Sequence, residues 1–295
     1  MASDPRSLEA EAELVNPLGY HVSLAKPDYL LGSVRCALAG RATALMVFLG
    51  SPRTTRLPEA DSLKCPEAFG LWEEKGRERR NLVVHFPYII NPSSPDPQSR
   101  MRAQQAIRAE LQLMEECGLS LCCLHPGSSL NGDRLALAQQ GFLELAPIFA
   151  EFPGIRIGIE NMAGKGSEVG VGLMEIKLLL EAVPLPNVGL CLDTCHLWDS
   201  GFPVDDVPLL ERTVAETIGL DKLFLIHLND SVHPRGSHRD RHANLGKGCI
   251  GFRPLCAIVA SPAFRSVPKI LETPEAAGAS THAHEVELLR KGAGL

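Results

Sequence analysis

The chain has 295 residues, 45% of them hydrophobic, with a formal net charge of −6, which suits one large domain with a sizeable core or two ordinary ones. No run of about 18 apolar residues offers a membrane span, and the acidic start MASDPRSLEAEAELV lacks the apolar stretch of a secretory signal. The nine cysteines are an odd number with no C-x-x-C pair, which argues against thiolate zinc fingers and for a reducing cytoplasmic or nuclear compartment over secretion.

Residues 1–17 read as a loosely ordered extension with a short helix over LEAEAELV, ahead of a single catalytic domain over 18–295. The first strand is YHVSL at 20–24, with a helix over 27–39. TALMVFL at 43–49 is the second strand, followed by the loop GSPRTTR and a helical stretch around 60–75. NLVVH at 81–85 is the third. PSSPDP then opens a helix that runs to Cys117, in which Ile107, Leu111 and Met114 keep helical spacing. LSLCCLH at 119–125 is the fourth strand, with a helix over 132–150. RIGIE at 156–160, NVGLCLD at 187–193, KLFLIHL at 222–228 and VPKILE at 267–272 complete the strands, and a last helix covers 282–291.

These strands are continuously apolar and do not alternate, as strands buried on both faces do in parallel sheets. Cys122, Cys123 and Cys191 fall inside them, where cysteine packs as a small hydrophobe. An open doubly wound sheet would want a glycine-rich turn after the first strand, and HVSLAKPDY has none. The expected fold is therefore α/β, a (β/α)8 TIM barrel.

Six of the apolar runs end in a metal-binding side chain: His85, His125, Glu160, Asp193, His227 and Glu272, at steps of 40, 35, 33, 34 and 45 residues. A strand, a helix and two loops fill about that length, and a barrel gathers all its strand tips on one face. His196 in DTCH, and Asp240 and His242 in D-R-H, bring the candidates to nine. Imidazole with carboxylate suits zinc, with manganese or iron as alternatives. Nine ligands are too many for one tetrahedral ion; with one shared carboxylate they fit three, each keeping room for water or substrate. A charge of −6 points away from nucleic acid, but three divalent cations would cancel it and concentrate positive charge at the mouth.

At these residues the chain resembles the endonuclease IV family of zinc-dependent apurinic/apyrimidinic endonucleases. The likeness runs from Gly19 to Leu289 through HFPYIIN at 85–91, LHPGS at 124–128, IENMAGKGSEVG at 159–170, CLDTCHLWDSG at 191–201, HLNDS at 227–231, DRHANLGKGCIGF at 240–252 and ILETP at 270–274. The resemblance implies three zinc ions. His85 and His125 would hold the first, Glu160 would bridge to the second, Asp193, His227 and Glu272 would complete the second, and His196, Asp240 and His242 would hold the third. It implies hydrolysis of the phosphodiester 5′ to abasic sites in duplex DNA, leaving a 3′-hydroxyl and a 5′-deoxyribose phosphate. The nucleophile would be a hydroxide held between the two ions that Glu160 bridges. Trimming of blocked 3′ ends stays open.

The resemblance also implies loop side chains that wedge into the duplex, for which Arg53, Tyr88 and Ile89 stand in position. Extruding an abasic nucleotide costs less than flipping an intact one. A monomer with no membrane partner is expected. His21 would orient a neighbour without binding metal. Gly246 and Gly248 resemble a phosphate-cradling loop, yet their expected task is to shape the turn after D-R-H. After HVS the family's small, glycine-rich stretch is replaced by LAKPDY, a change in the first mouth loop. The alternative is a metal-dependent sugar isomerase or epimerase on a related barrel. Such enzymes use one or two ions, which would leave His196, Asp240 and His242 unexplained.

Overall fold

The protein is described by a computed structural model over residues 15–130, 133–275 and 281–295. The expectation of a loose extension therefore falls, for residues 1–14, outside the described residues. Eight parallel strands close into a barrel: β1 (Leu18–His21), β2 (Ala44–Val47), β3 (Leu82–His85), β4 (Leu121–Leu124), β5 (Arg156–Glu160), β6 (Val188–Asp193), β7 (Leu223–His227) and β10 (Lys269–Leu271). Two short strands, β8 (Asp230–Ser231) and β9 (His242–Ala243), form an antiparallel hairpin after β7.

The first strand starts earlier than YHVSL suggests. Gly19 sits inside it because a Cβ there would lie 1.7 Å from the Ala44 carbonyl oxygen. A glycine in a strand marks a close backbone approach of this kind. Helices stand between the strands at α1 (Tyr29–Ala39), α2 (Cys65–Glu74), α3 (Pro97–Cys117), α4 (Arg134–Ala150), α5 (Gly172–Ala182), α6 (Thr194–Asp199), α7 (Val207–Thr217), α8 (Phe252–Ala260) and α9 (Thr281–Ala293).

Local chemistry sets several boundaries. Asp96 accepts hydrogen bonds from the Gln98 and Ser99 amides and Pro97 takes the first helical position, so α3 starts where PSSPDP signals a start. It stops at Gly118, whose φ of 73° continues no helix. Asp133 and Asp206 cap α4 and α7 in the same way as Asp96.

The apolar strand residues divide between two cores. Those facing outward pack under the helices, in a layer that includes Leu45, Val84, Ile157 and Leu190. Those facing inward fill the barrel with Ala44, Met46, Val83, Leu121, Cys123, Cys191, Phe224, Leu225 and Ile270. The interior is thus packed solid beneath the mouth. At the opposite end Lys269, fully buried, donates to Asn16 Oδ1 at 2.8 Å and to the Phe264 and Val267 carbonyls at 2.7 and 2.9 Å. That ties residue 16 to the barrel floor. No helix among the described residues is long and apolar enough to cross a membrane.

Candidate metal centre

Because every barrel strand runs the same way, their last residues share one rim. His85, Glu160, Asp193 and His227 are the final residues of β3, β5, β6 and β7, and His125 and Glu272 directly follow β4 and β10. His196 comes from α6, whose first turn is capped by Asp193: Oδ1 accepts the His196 amide at 2.6 Å. Asp240 and His242 come from the loop and the first residue of β9. All nine sequence-derived candidates meet at the mouth.

Glu160 is the centre. Its Oε2 lies 3.2 Å from His85 Nε2 and 3.4 Å from His125 Nε2. Its Oε1 lies 3.1 Å from His227 Nδ1 and 3.3 Å from His196 Nδ1. The two oxygens therefore face different imidazole sets. His227 Nδ1 is also 3.1 Å from Glu272 Oε2 and 4.0 Å from Asp193 Oδ2. On the outer side, His196 Nε2 lies 3.1 Å from Asp240 Oδ1, and His242 Nε2 lies 3.8 Å from the same oxygen and 3.6 Å from Asp193 Oδ2. The ligand atoms of His85, His125 and Glu160, and those of His196, Asp240 and His242, lie within 4.8 Å of one another, spacing that could hold a metal ion.

Most of these imidazoles have one nitrogen already committed. His85 Nδ1 donates to the Phe86 carbonyl at 2.7 Å, His196 Nδ1 to the Asn161 carbonyl at 3.0 Å, and His242 Nδ1 to the Glu272 carbonyl at 3.3 Å. His227 Nε2 points at Cys123 Sγ, 3.6 Å away. Such bonds fix the tautomer and aim the other nitrogen, as metal-binding histidines require. The fit to a cation is sharpest at His242, whose buried Nε2 has no hydrogen-bond partner although two carboxylates face it. A buried polar atom left without a partner is costly, and a divalent ion between those groups would satisfy it.

The charges respond to this crowding. Burial works against an ionised Glu160, yet His227 and His125 beside it hold its carboxyl well below the usual range. His196 is driven well above its ordinary value by Asp193, Asp240 and Glu160, against the cost of burial. His227 rises likewise beside Cys191, Glu272 and Glu160, although burial opposes it. Asp240 falls to about 2: burial pushes the other way, but the hydrogen bond from His196 and its charge prevail. Imidazole and carboxylate in this cluster thus favour each other's charged forms against the cost of burial. A cation entering here displaces protons from imidazole.

The profile of the xylose isomerase-like TIM barrel family matches residues 35–292. A protein of Ureaplasma urealyticum named "probable endonuclease 4" is 38% identical over 281 residues, covering 92% of each chain. Its counterpart in Mesomycoplasma hyopneumoniae is 37% identical over 277 residues, covering 93% of this chain and 98% of that one. The chain belongs to the endonuclease IV family.

Among solved structures, endonuclease IV from Thermus thermophilus superposes with a TM-score of 0.82 at 28% identity, covering 94% of this chain and 98% of that one. A D-tagatose 3-epimerase-like protein gives a TM-score of 0.65 at 19% identity, covering 93% and 96%, a likeness of fold alone.

Within this endonuclease IV family barrel, the three expected wedge residues flank the mouth on neighbouring loops, after β2 and β3. Tyr88 and Ile89 are each 47% exposed. Arg53 Nε donates to the Tyr88 hydroxyl at 3.0 Å, so the loops are tied together at their tips. The His21 ring packs edge-on against Phe48 at 5.3 Å between centroids, and the Phe48 centroid lies 4.8 Å from that of His85. Burial pulls His21 down to about 4.

Sequence reasoning overlooked Asn161 and Asn229. Asn161 brackets Asp193, donating to its carbonyl at 3.1 Å and accepting its amide at 2.8 Å. Asn229 donates to Asp193 Oδ2 at 2.7 Å and accepts the Glu272 amide at 2.8 Å, joining β6 to β10. The signal was available: in IEN and HLND a fully buried asparagine directly follows the strand-end run.

Proposed function

We propose that this endonuclease IV family member is a DNA-repair hydrolase that cuts the phosphodiester 5′ to abasic sites in duplex DNA, leaving a 3′-hydroxyl and a 5′-deoxyribose phosphate. Three divalent cations, zinc in our reading, would be held by His85, His125 and Glu160; by Glu160, Asp193, His227 and Glu272; and by His196, Asp240 and His242. Bound there, such ions supply Lewis-acid charge neutralisation at the phosphate and activate water near neutral pH.

The chain's own part is orientation. Glu160 offers one oxygen to each inner set, so its carboxylate is placed to bridge. Asn229 and Asn161 keep Asp193 and Glu272 aimed. Arg53, Tyr88 and Ile89 would enter the duplex where the missing base leaves a gap, a role that the exposure of Tyr88 and Ile89 and the Arg53–Tyr88 hydrogen bond support. All nine candidate ligands come from one chain, which supports action as a monomer. The nine cysteines are free thiols, which supports a reducing compartment.

The observation that carries this reading over a sugar epimerase is the third set, His196–Asp240–His242, whose ligand atoms lie within 4.8 Å of one another, with His196 Nδ1 3.3 Å from Glu160 Oε1. The test is a duplex with one abasic-site analogue, labelled at its 5′ end and mixed with zinc-loaded protein. One nick 5′ to the lesion, with a 3′ end that a polymerase extends, is expected. An intact duplex alongside epimerisation of a ketose by the same sample would overturn the reading.

A further inference from the structure

The segment NLGKG at 244–248 has the look of an anion cradle, and the structure shows which anion fills it. Asp230, fully buried in β8, turns its carboxylate into this loop. Its Oδ2 accepts the amides of Gly246 and Gly248, both at 3.0 Å. Its Oδ1 accepts those of Ser231 at 2.8 Å, Ile250 at 2.9 Å and Gly251 at 3.2 Å. Five backbone donors thus converge on one internal carboxylate, the arrangement that elsewhere forms a nest for a phosphate. The glycines follow from it. A Cβ on Gly248 would lie 2.3 Å from the Ser231 carbonyl and 2.5 Å from Asp230 Oδ1, and Gly246 has a φ of 72°.

What the carboxylate fastens is the stretch just after D-R-H. In the hairpin, Asp230 pairs with Ala243 and Ser231 with His242. The loop that leaves β9 returns to the same Asp230, and Cys249 donates its amide to the Ser231 carbonyl at 2.7 Å. Both sides of His242 are therefore tied to β8. From there His242 Nε2 and Asp240 Oδ1 come within 3.8 Å of each other, with His196 Nε2 3.1 Å from that oxygen.

We propose that Asp230 is a positioning residue for the His196–Asp240–His242 cation set, holding β9 and the following loop in the register that presents His242. The inference rests on the reading of that set as a cation site. A ligand constellation must be held within about 0.5 Å to work, and two of these three ligands lie on loop backbone that no barrel strand fixes. In Asp230→Asn, one oxygen becomes an amino group facing amide donors, so at least part of the nest opens. Losses at residues that orient ligands run at about 10–100-fold in metal affinity.

The test is zinc release to a competing chelator, counted per chain, for wild type, Asp230→Asn, Gly248→Ala and, as the reference for losing this set, His242→Ala. Gly248→Ala attacks the same nest by crowding and covers the case in which Asp230→Asn does not fold. Expected is one ion released at least about tenfold more readily in Asp230→Asn and Gly248→Ala, matching the ion lost in His242→Ala, with the remaining ions held as in wild type. Wild-type retention of every ion in both nest variants, or equal loosening of all ions, would overturn the assignment to Asp230. A wild-type chain with no ion dependent on His242 would sink the cation reading, and this inference with it.

Discussion

The mouth is built in two ways. Six of its candidate ligands sit on or directly after barrel strands, and Glu160, Asp193 and His227 among them are fully buried. The other set reaches the mouth on a short helix and a loop hairpin, and the side chains of Asp240 and His242 stay 32% and 17% exposed. The strand tips inherit their positions from the sheet, where a shift would break a whole ladder of hydrogen bonds. The outer set depends on a few local bonds: the Asp193 cap on α6 and the amides gathered on Asp230. The first half of the site should therefore tolerate changes in its surroundings better than the second.

The largest effect is expected at the junction of the halves. Glu160→Gln removes the charge that faces His85 and His125 on one side and His227 and His196 on the other. Turnover on abasic DNA should fall by about 10³-fold or more, with an unchanged circular dichroism spectrum. Activity within a fewfold of wild type would show that the centre does not turn on this carboxylate. His242→Ala should be milder, about 10²-fold in turnover, and metal counting should find one ion lost with the inner two kept. Loss of all the ions would mean that the two halves are one cooperative unit and would break the contrast between them.

Away from the ions, Tyr88→Ala should weaken binding of abasic duplex by about 5–30-fold, the equivalent of about 1–2 kcal/mol. The rate of bound, metal-loaded enzyme should change little. Equal affinity in a gel-shift or anisotropy titration would remove Tyr88 from the interface.

The smallest change in turnover is expected from Glu110, on the buried side of α3. Neither of its oxygens has a hydrogen-bond partner, and burial pushes its carboxyl from 4.5 up to about 8. The folded chain thus keeps a proton that the unfolded chain gives up near 4.5. Stability falls as pH rises from there to about 8, then stays at the lower level. Glu110→Gln should abolish that slope, gaining about 5 kcal/mol near pH 9 and little near pH 4. Urea unfolding at both pH values measures this, and an equal gain at both would contradict it.

The same division explains what the sequence reveals. Strand tips announce themselves because a buried parallel strand is a continuous apolar run, and the run's end is visible in LVVH, RIGIE and GLCLD. The helices expected over 27–39, 60–75 and 132–150 appear within a few residues. Those at Gly172–Ala182, Val207–Thr217 and Phe252–Ala260 escape the reading. They open on glycine, on Val-Pro and on Phe-Arg-Pro, which look like loop. The β8–β9 hairpin spans two residues a side, too few for any alternation to show. D-R-H is legible as a ligand pair, but the bonds that place it are backbone amides closing on Asp230, and amides carry no residue signature. Asn229 and Asp230 stand side by side in HLND, with tasks that only the closed barrel separates: one joins two strands, the other holds a loop.

The most direct test of the central claim, that nine residues from strand tips and loop build one multinuclear centre, is anomalous diffraction at the zinc edge from crystals of the zinc-loaded chain. The account predicts three peaks: between His85, His125 and Glu160; between Glu160, Asp193, His227 and Glu272; and between His196, Asp240 and His242. Density at the inner positions with none beside His242 would contradict it and return the barrel to the one- or two-ion chemistry of sugar isomerases and epimerases.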